Sequence, residues 1–567
     1  MVPMMSGAQW QDRKIGLTLG LHPPMSHRLP CGRPSPGRSG PSILGSMLGP
    51  LMVVVLASGC MIGPDYRRPE APTAADWMES GPDGPFRSEA DTRAWWTTFG
   101  DPALDRLIET AYRQNPTLRA AGSHVLESLA RRGIAIGTLF PQTQQGGAAY
   151  QHVELSQNRA NQRFANHSFN DWTIGFDAAW ELDVWGKIRR GIETEDARVL
   201  SSVATYDDAL VTLIAEVASN YIAYRTLEER LVVARTNVTV QEQSFGIADE
   251  KFRQGETSQL DSLQATSLLE DTRTLIPVIE TGLRQTENNL CLLLGIPPSD
   301  LGGLLGARGT IPVVPVTIAV GIPADLLRRR PDVRRAERDL AAQSAQIGVA
   351  KADLLPSFSL TGTLSFGAED FVDLFEGRSF ESFGGPQVRW AILNYGRIAS
   401  NVRVQDARFQ ALISDYENTV LRAQTEVENA VAGFLGAERE VKHLARSVDS
   451  ARAAVGIADV QYREGAVDYT RVLDTQQSLV AVEDRLVARR GDVAQNVVAV
   501  NKALGGGWEL REGRNFLPDD SQRQMQDRTR WGSTITTQGQ QADVDAASSG
   551  TEGDQGWWRW RAWWPQW

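Results

Sequence analysis

The sequence predicts a mainly α-helical chain with a small membrane β component, made of one unit used twice: a pair of strands followed by a long helical hairpin. Three observations carry this. Short blocks recur at an offset of 210 residues, a period-two alternation precedes each long helix, and a seven-residue apolar repeat then runs for eight successive positions. A duplication of that length marks one architectural unit in tandem.

The recurring blocks define the unit. Trp185-Gly186-Lys187-Ile188-Arg189 returns as Tyr395-Gly396-Arg397-Ile398-Ala399, and Gly246-Ile247-Ala248-Asp249 as Gly456-Ile457-Ala458-Asp459. Phe252-Arg253-Gln254-Gly255 returns as Tyr462-Arg463-Glu464-Gly465, and Leu294-Gly295 as Leu504-Gly505. Upstream, Pro116 and Pro141 match Pro331 and Pro356 at an offset of 215, so five residues differ between the strands.

In chain order, residues 43–59 form an apolar run that follows Arg28, Arg33 and Arg38 and ends in small residues at Cys60. That is the layout of a secretory signal, and the run is short for a spanning helix. Leu56-Ala57-Ser58-Gly59-Cys60 looks like a bacterial lipobox. Residues 1–59 therefore read as a lipoprotein signal peptide, with Met25 a second candidate start, and Cys60 as the lipidated N-terminus. Met61 follows where an aspartate would favour inner-membrane retention, so the expected destination is the outer membrane. Residues 60–94, rich in Pro, Gly and Asp, read as an extended lead.

Over residues 171–184, Trp172, Ile174, Phe176, Ala178, Trp180, Leu182 and Val184 share one face, while Asp171, Asp177, Glu181 and Asp183 lie on the other. The second copy alternates likewise over 357–366, Phe358, Leu360, Leu364 and Phe366 against serines and threonines. Weaker partner strands are expected at 142–153 and 386–393. Strands of about ten residues, apolar outside and polar inside, fit an outer-membrane barrel. Four strands cannot close one, and an open edge in lipid leaves backbone groups unpaired. Several copies must share the barrel.

Each second strand leads into a long helix. Ile413, Val420, Val427, Phe434, Val441, Val448, Val455 and Tyr462 recur every seven residues, and Val203, Leu210, Val217, Tyr224, Leu231, Val238, Phe245 and Phe252 do so in the first copy. Sustained heptads predict lengthwise helix packing, over about 100 Å from Gly396 to Arg463 at 1.5 Å per residue. Gly255 and Gly465 end these helices, shorter helices return, and Pro277 should kink the first return. Residues 511–556 turn polar and read as disordered. The chain closes on Trp557-Trp558-Arg559-Trp560-Arg561-Ala562-Trp563-Trp564-Pro565-Gln566-Trp567. A bilayer-interface segment and a merely adhesive tail both fit that composition.

Composition narrows the function. The chain of 567 residues carries −11; its first 59 residues hold five basic residues and one acidic, so the remainder carries −15. An acidic chain with no basic block is not built for nucleic acid. No His-Glu-x-x-His, Gly-x-Ser-x-Gly, phosphate-loop or paired-cysteine metal motif occurs, and the six histidines are scattered. Neither an enzyme nor a cofactor is expected, beyond the covalent lipid on Cys60. A periplasmic adaptor or a structural coiled-coil lipoprotein is the alternative reading. An adaptor, however, needs a β-rich lipoyl-like domain and no membrane strands.

Several blocks, in order, resemble the TolC-like outer-membrane factors, most closely the lipoprotein OprM/NodT branch: Gly59-Cys60-Met61-Ile62-Gly63-Pro64-Asp65-Tyr66-Arg67-Arg68-Pro69, then Trp95-Trp96 through Asp101-Pro102, then Leu326-Leu327-Arg328-Arg329-Arg330-Pro331-Asp332-Val333-Arg334, and Ala503-Leu504-Gly505-Gly506-Gly507-Trp508. The resemblance implies a homotrimer with a twelve-stranded β-barrel in the outer membrane, continued by a periplasmic α-barrel. It implies a passive conduit for drugs, dyes, metals or signalling molecules, working with a periplasmic adaptor and an inner-membrane pump of the RND type. The expected organisation is the first repeat at 95–295, an equatorial connection at 296–322, the second repeat at 323–508 and a disordered Trp-rich tail at 509–567.

Residue by residue, the resemblance assigns adaptor contact to the tips at Arg253 and Gly255 and at Arg463 and Gly465. It assigns a ring of three carboxylates at the periplasmic constriction to Asp474. Thr470 stands where close relatives place a leucine, and Arg471 where some carry a second aspartate. Tyr462 and Arg463 match positions whose contacts hold the closed state.

Overall fold

The computed structural model describes residues 61–551, apart from 75, 79–85, 88–92, 159–165, 308, 313–317 and 320–327. The signal peptide, Cys60, Leu326-Leu327, much of the inter-repeat connection and the Trp-rich end lie outside the described residues.

The first copy begins with capped helices. Asp101 accepts the amide of Ala103 at 2.9 Å and starts α1 (Pro102–Gln114); Asn115 accepts that of Leu118 at 2.9 Å and starts α2 (Pro116–Gly137). Proline at the first helical position loses only an amide that has no partner there. The chain then forms β1 (Thr143–Glu154) and β2 (Ser168–Leu182), the 67-residue α3 (Lys187–Arg253), and the return helix α4 (Gln259–Leu294). The second copy repeats this with α5 (Pro331–Ala352), β3 (Ser357–Ala368), β4 (Phe380–Arg389), the 67-residue α6 (Arg397–Arg463) and α7 (Tyr469–Ala503). Phe86–Arg87 and Ile318–Ala319 pair as a minute parallel bridge.

The heptads are visible in burial: Val420, Val427, Phe434, Val448, Val455 and Tyr462 all lie among the buried residues of α6. The short helices complete the height of the long ones end to end. Asn115 donates from Nδ2 to the Leu293 carbonyl at 2.9 Å, joining the end of α4 to the start of α2. In the second copy Arg330 donates to the Ala503 carbonyl and joins α7 to α5. Helix α4 runs unbroken through Pro277.

The four strands form one antiparallel sheet in the order β1–β2–β3–β4. The helices follow the same order: α2 and α4 flank α3, α3 packs on α5 and α7, and these pack on α6. Neighbouring strands thus feed neighbouring helices, and the wall is continuous from sheet to tip.

Two expectations are corrected. The fourth strand is 380–389, not 386–393; it pairs Phe380 with Phe366 and Arg389 with Ser357. Trp390–Leu393 instead forms the bend into α6, where the Trp390 indole donates to the Leu354 carbonyl at 3.0 Å. Residues 511–551 are folded rather than disordered, with α8 (Asp519–Arg528) and α9 (Thr537–Thr551). Their order comes from a few anchors set into the helical wall: Phe516, Leu517, Ile535 and Ala547 are all buried.

The lead threads along the wall. Ile62 donates its amide to the Trp185 carbonyl at 3.1 Å, Asp65 receives Arg190 at 2.7 Å, and Arg68 reaches Glu337 and Tyr416 at 3.2 Å. The seat is made by absent side chains: a Cβ on Gly348 would lie 2.7 Å from the Ile62 carbonyl oxygen, and one on Gly63 2.5 Å from Gly348 Cα.

The arginine-rich signature is structural. Arg330 also pairs with Asp332 at 2.8 Å and Glu426 at 2.7 Å. Arg334 donates to Asp207 at 2.7 Å and lies 4.4 Å over the Trp508 ring. Arg511 reaches the other oxygen of Asp207 at 2.7 Å, so this fully buried carboxylate sits between two guanidinium groups.

Candidate functional site

The sheet has two chemically distinct faces. Residues directly opposite in an antiparallel ladder share a face, so Phe176 lies beside Leu364 and Trp180 beside Leu360, with Leu360 beside Pro386 in turn. Phe176, Leu360, Leu364, Phe380 and Val388 are exposed in the single chain. The opposite face aligns Asp177 with Thr363, whose hydroxyl donates to the carboxylate at 2.6 Å, and carries Glu181 and Glu381.

Aromatic rings bound the apolar band. At one end Tyr150, Trp172 and Phe371 stack in series, with centroids 4.4 and 5.1 Å apart. At the other, Trp180 and Trp390 donate from Nε1 to the Leu139 and Leu354 carbonyls, both at 3.0 Å. From Trp172 to Trp180 is eight residues, about 26 Å along a strand; at the 35–45° tilt of barrel strands that is roughly 20 Å of height, within an apolar band of about 25 Å. Among the described residues no helix is long and apolar enough to cross a membrane. Strands β1 and β4 each have one ladder partner, so both outer edges of the sheet are open.

At the far end, both hairpins close on glycine in the left-handed region, Gly255 at φ 77° and Gly465 at φ 71°. The amides of Glu256 and Ala466 return to the Lys251 and Gln461 carbonyls at 2.9 and 2.8 Å, closing each helix. Arg253 is exposed and pairs with Asp249 at 2.7 Å; Arg463 is exposed, and among the described residues its side chain has no hydrogen bond or ion pair.

The remaining predicted residues divide between two faces of the tip. Thr470, Arg471 and Asp474 occupy the first two turns of α7 on its exposed side. Tyr462 does not join them; it is buried against Tyr469, ring centroids 5.2 Å apart. Its hydroxyl donates to Asp261 of α4 at 3.1 Å, and Asp261 also receives the hydroxyl of Thr257. Burial, with the Asp261 charge beside it, pushes the Tyr462 phenol up to about 12. Asp261 was missed in the sequence. It stands 201 residues from Tyr462, and only its place in the first turn after the Gly255 tip marked it.

The seam between the hairpins alternates polar pairs with apolar contacts, Ala248 and Ala265 packing with Ala458, Tyr462, Tyr469 and Val472 near the tip. Ser219 bonds Gln495, Arg230 bonds Asp484 at 2.7 Å, Asn237 bonds Glu483 at 3.0 Å and Gln476 bonds Ser244 at 2.6 Å. Within a hairpin the seam is apolar instead, as at Val448, Val482 and Leu486.

An open, lipid-faced sheet continued by a wall of helices about 100 Å tall defines a subunit of an outer-membrane channel. The profile described as "Outer membrane efflux protein" matches residues 107–296 and 322–506. The chain belongs to the outer membrane efflux protein family. Nodulation protein T of Rhizobium leguminosarum bv. trifolii is 30% identical over 80% of this chain and 96% of its own length. The pyoverdine export outer membrane protein OpmQ of Pseudomonas putida is 30% identical over 78% and 94%. The solved outer-membrane channel OprN superposes with a TM-score of 0.75 at 30% identity, covering 79% of this chain and all of that one. The protein is thus an outer-membrane component of an efflux system, with the TolC-like architecture that its sequence blocks resemble.

Proposed function

We propose that three copies of this chain form a passive conduit, anchored by a lipid on Cys60, that receives cargo from a periplasmic adaptor and an inner-membrane pump. The observation that carries the reading is the open sheet. Its edges β1 and β4 coincide with the outer helices α2, α4 and α6, so one rotation pairs strand to strand and helix to helix around a common axis. Three copies of four strands give twelve, enough to close a membrane barrel.

In that arrangement the exposed face of α7 turns to the axis at the tip. One Asp474 from each copy then narrows the throat, with Thr470 and Arg471 a turn away; three converging carboxylates favour cations. Arg253, Gly255, Arg463 and Gly465 are left on the end that meets the adaptor. Tyr462 holds the two hairpins of a copy together through Asp261 and keeps the throat shut. The pump, rather than this wall, selects the cargo.

Purified, acylated protein should run as a heat-modifiable trimer and give discrete conductance steps in planar bilayers. A lone subunit without conductance would overturn the proposal.

A further inference from the structure

The two repeats of one chain meet along a finished seam, where α3 packs on α5 and α7. The offsets between the repeats are fixed, 210 residues for the long and return helices and 215 for the entry helices. Each residue on that seam therefore has a counterpart on an outer edge of the wall: α6 takes the part of α3, α4 that of α7, and α2 that of α5. Gly436, for example, stands 27 residues before the end of α6, about 40 Å above the tip. At that height α6 and α4 bound opposite edges of one chain, so the counterparts can meet only between copies.

The counterparts fit, with their roles exchanged. Arg490 of α7 pairs with Glu229 of α3 at 3.4 Å. Glu229 maps to Arg439 and Arg490 to Glu280, which is the same ion pair with its signs reversed. Both are exposed. Among the described residues the Arg439 side chain bonds only the Leu435 carbonyl of its own helix, at 3.1 Å, and Glu280 has one oxygen on Arg235 at 2.9 Å. Thr226 of α3 packs against Gly491 of α7, where a Cβ would collide with it. Thr226 maps to Gly436 and Gly491 to Thr281, so bulk and gap change sides. Nothing in the chain lies within 4 Å of a Cβ built on Gly436, which borders an open groove of about 470 Å³.

Two further counterparts agree. The pair of Arg334 on Asp207 maps to Arg119 and Glu417, neither of which has an ion pair among the described residues. Ile247 and Leu473 pack on one apolar cluster at the tip, and their counterparts Ile457 and Leu263 are 60% and 58% exposed. Arginine against arginine would repel and glycine against glycine would leave a void. Exchange on both sides at once is what a direct contact requires.

We propose that the interface between copies repeats the internal seam, α6 of one copy packing on α4 and α2 of the next. Arg439 then meets Glu280, Thr281 fills the space over Gly436, and Glu417 meets Arg119. The proposal rests on the multi-copy reading of the open sheet and adds the register at which the copies join. A head-to-tail contact of this kind closes a ring when its rotation closes.

The test uses the full acylated chain carrying Gly436→Cys and Thr281→Cys, oxidised in the membrane and then unfolded without reductant. A disulfide needs Cα atoms within about 7 Å, so covalent dimers and trimers should form. They should be absent when Thr274→Cys replaces Thr281→Cys, two turns and about 10 Å away. Each single variant should stay uncoupled, since the native Cys291 is buried. Co-expressing the two single variants should give covalent dimers and no trimers. If cysteine at Gly436 prevents assembly, Arg439→Cys with Glu280→Cys, bridged by a short bis-maleimide, reads the same register. Equal coupling through Thr274→Cys would overturn the register. So would the absence of coupling in both pairs from a parent that an amine-reactive reagent ties into trimers, and the channel reading would then stand. A parent found as a lone subunit would overturn both.

Discussion

Tyr462→Phe isolates the contact between the two hairpins. It keeps the ring against Tyr469 and removes only the hydroxyl that donates to Asp261 at 3.1 Å. A hydrogen bond to a charged acceptor contributes about 1.5–3 kcal/mol, and a half-buried acceptor belongs at the lower end. About 1.5 kcal/mol per copy is roughly a tenfold change in the ratio of joined to parted hairpins. Three copies that part together lose about 4–5 kcal/mol, or roughly three orders of magnitude. The apolar contacts of Ala248 and Ala265 with Ala458, Tyr469 and Val472, and the buried bond of Gln476 to Ser244, stay in place in this variant, so the change in opening reports the hydroxyl alone. Single-channel recording should show Tyr462→Phe open far more often than the parent. Asp261→Ala should do the same, and the double variant should add little, with a coupling of about 1–2 kcal/mol. Unchanged opening in Tyr462→Phe, or full additivity in the double variant, would refute a latch at this position.

Further outcomes follow from other parts of the wall. Asp474→Ala combined with Arg463→Ala should raise single-channel conductance; an unchanged value would put the constriction elsewhere. Asp543 is held up to about 6 by burial, against the pull of Arg132, and burial likewise raises Asp196, the ion-pair partner of Arg132, to about 6. A carboxyl whose folded value exceeds its unfolded one favours folding when protonated, so docking of 511–551 weakens as pH rises from about 4 to about 6 and tightens on acidification. The hydrogen-exchange protection of this segment, taken relative to the intrinsic rate at each pH, should rise between pH 7 and pH 5, and Asp543→Asn should raise it already at pH 7. Gly348→Ala drives a methyl group to 2.7 Å from the Ile62 carbonyl oxygen. It should cost about 1–3 kcal/mol and expose residues 61–78 to limited proteolysis, leaving the helical wall intact.

The long helices were legible because a seven-residue period held for eight positions leaves no competing reading, and because glycine ends each 67-residue helix at the tip. Strands β2 and β3 were legible because their two faces differ sharply, and the weaker reading at 142–153 fell within one residue of β1. The fourth was displaced because Gly384-Gly385-Pro386 resembles a turn, while Trp390-Ala391-Ile392-Leu393 alternates like a strand; only pairing with β3 settles the register. The C-terminal helices escaped because a segment that borrows its core from a neighbouring wall needs few apolar residues of its own. Phe516, Leu517, Ile535 and Ala547 supply it here, amid a composition that reads as unfolded. At the tip, Asp474 and its neighbours are assigned by resemblance alone. Asp261 was out of reach, since its partner is a whole repeat away in the chain.

The unfinished sheet also bears on inheritance. A wall closed only by identical copies mixes good and bad chains at random whenever a cell makes both. In the proposed three-copy wall, equal amounts of an altered and a normal chain would leave only roughly one assembly in eight wholly normal. Lesions that spare β1 and β4 but ruin the throat should therefore be dominant, whereas lesions that abolish either edge should be recessive, since such chains never enter an assembly to spoil it.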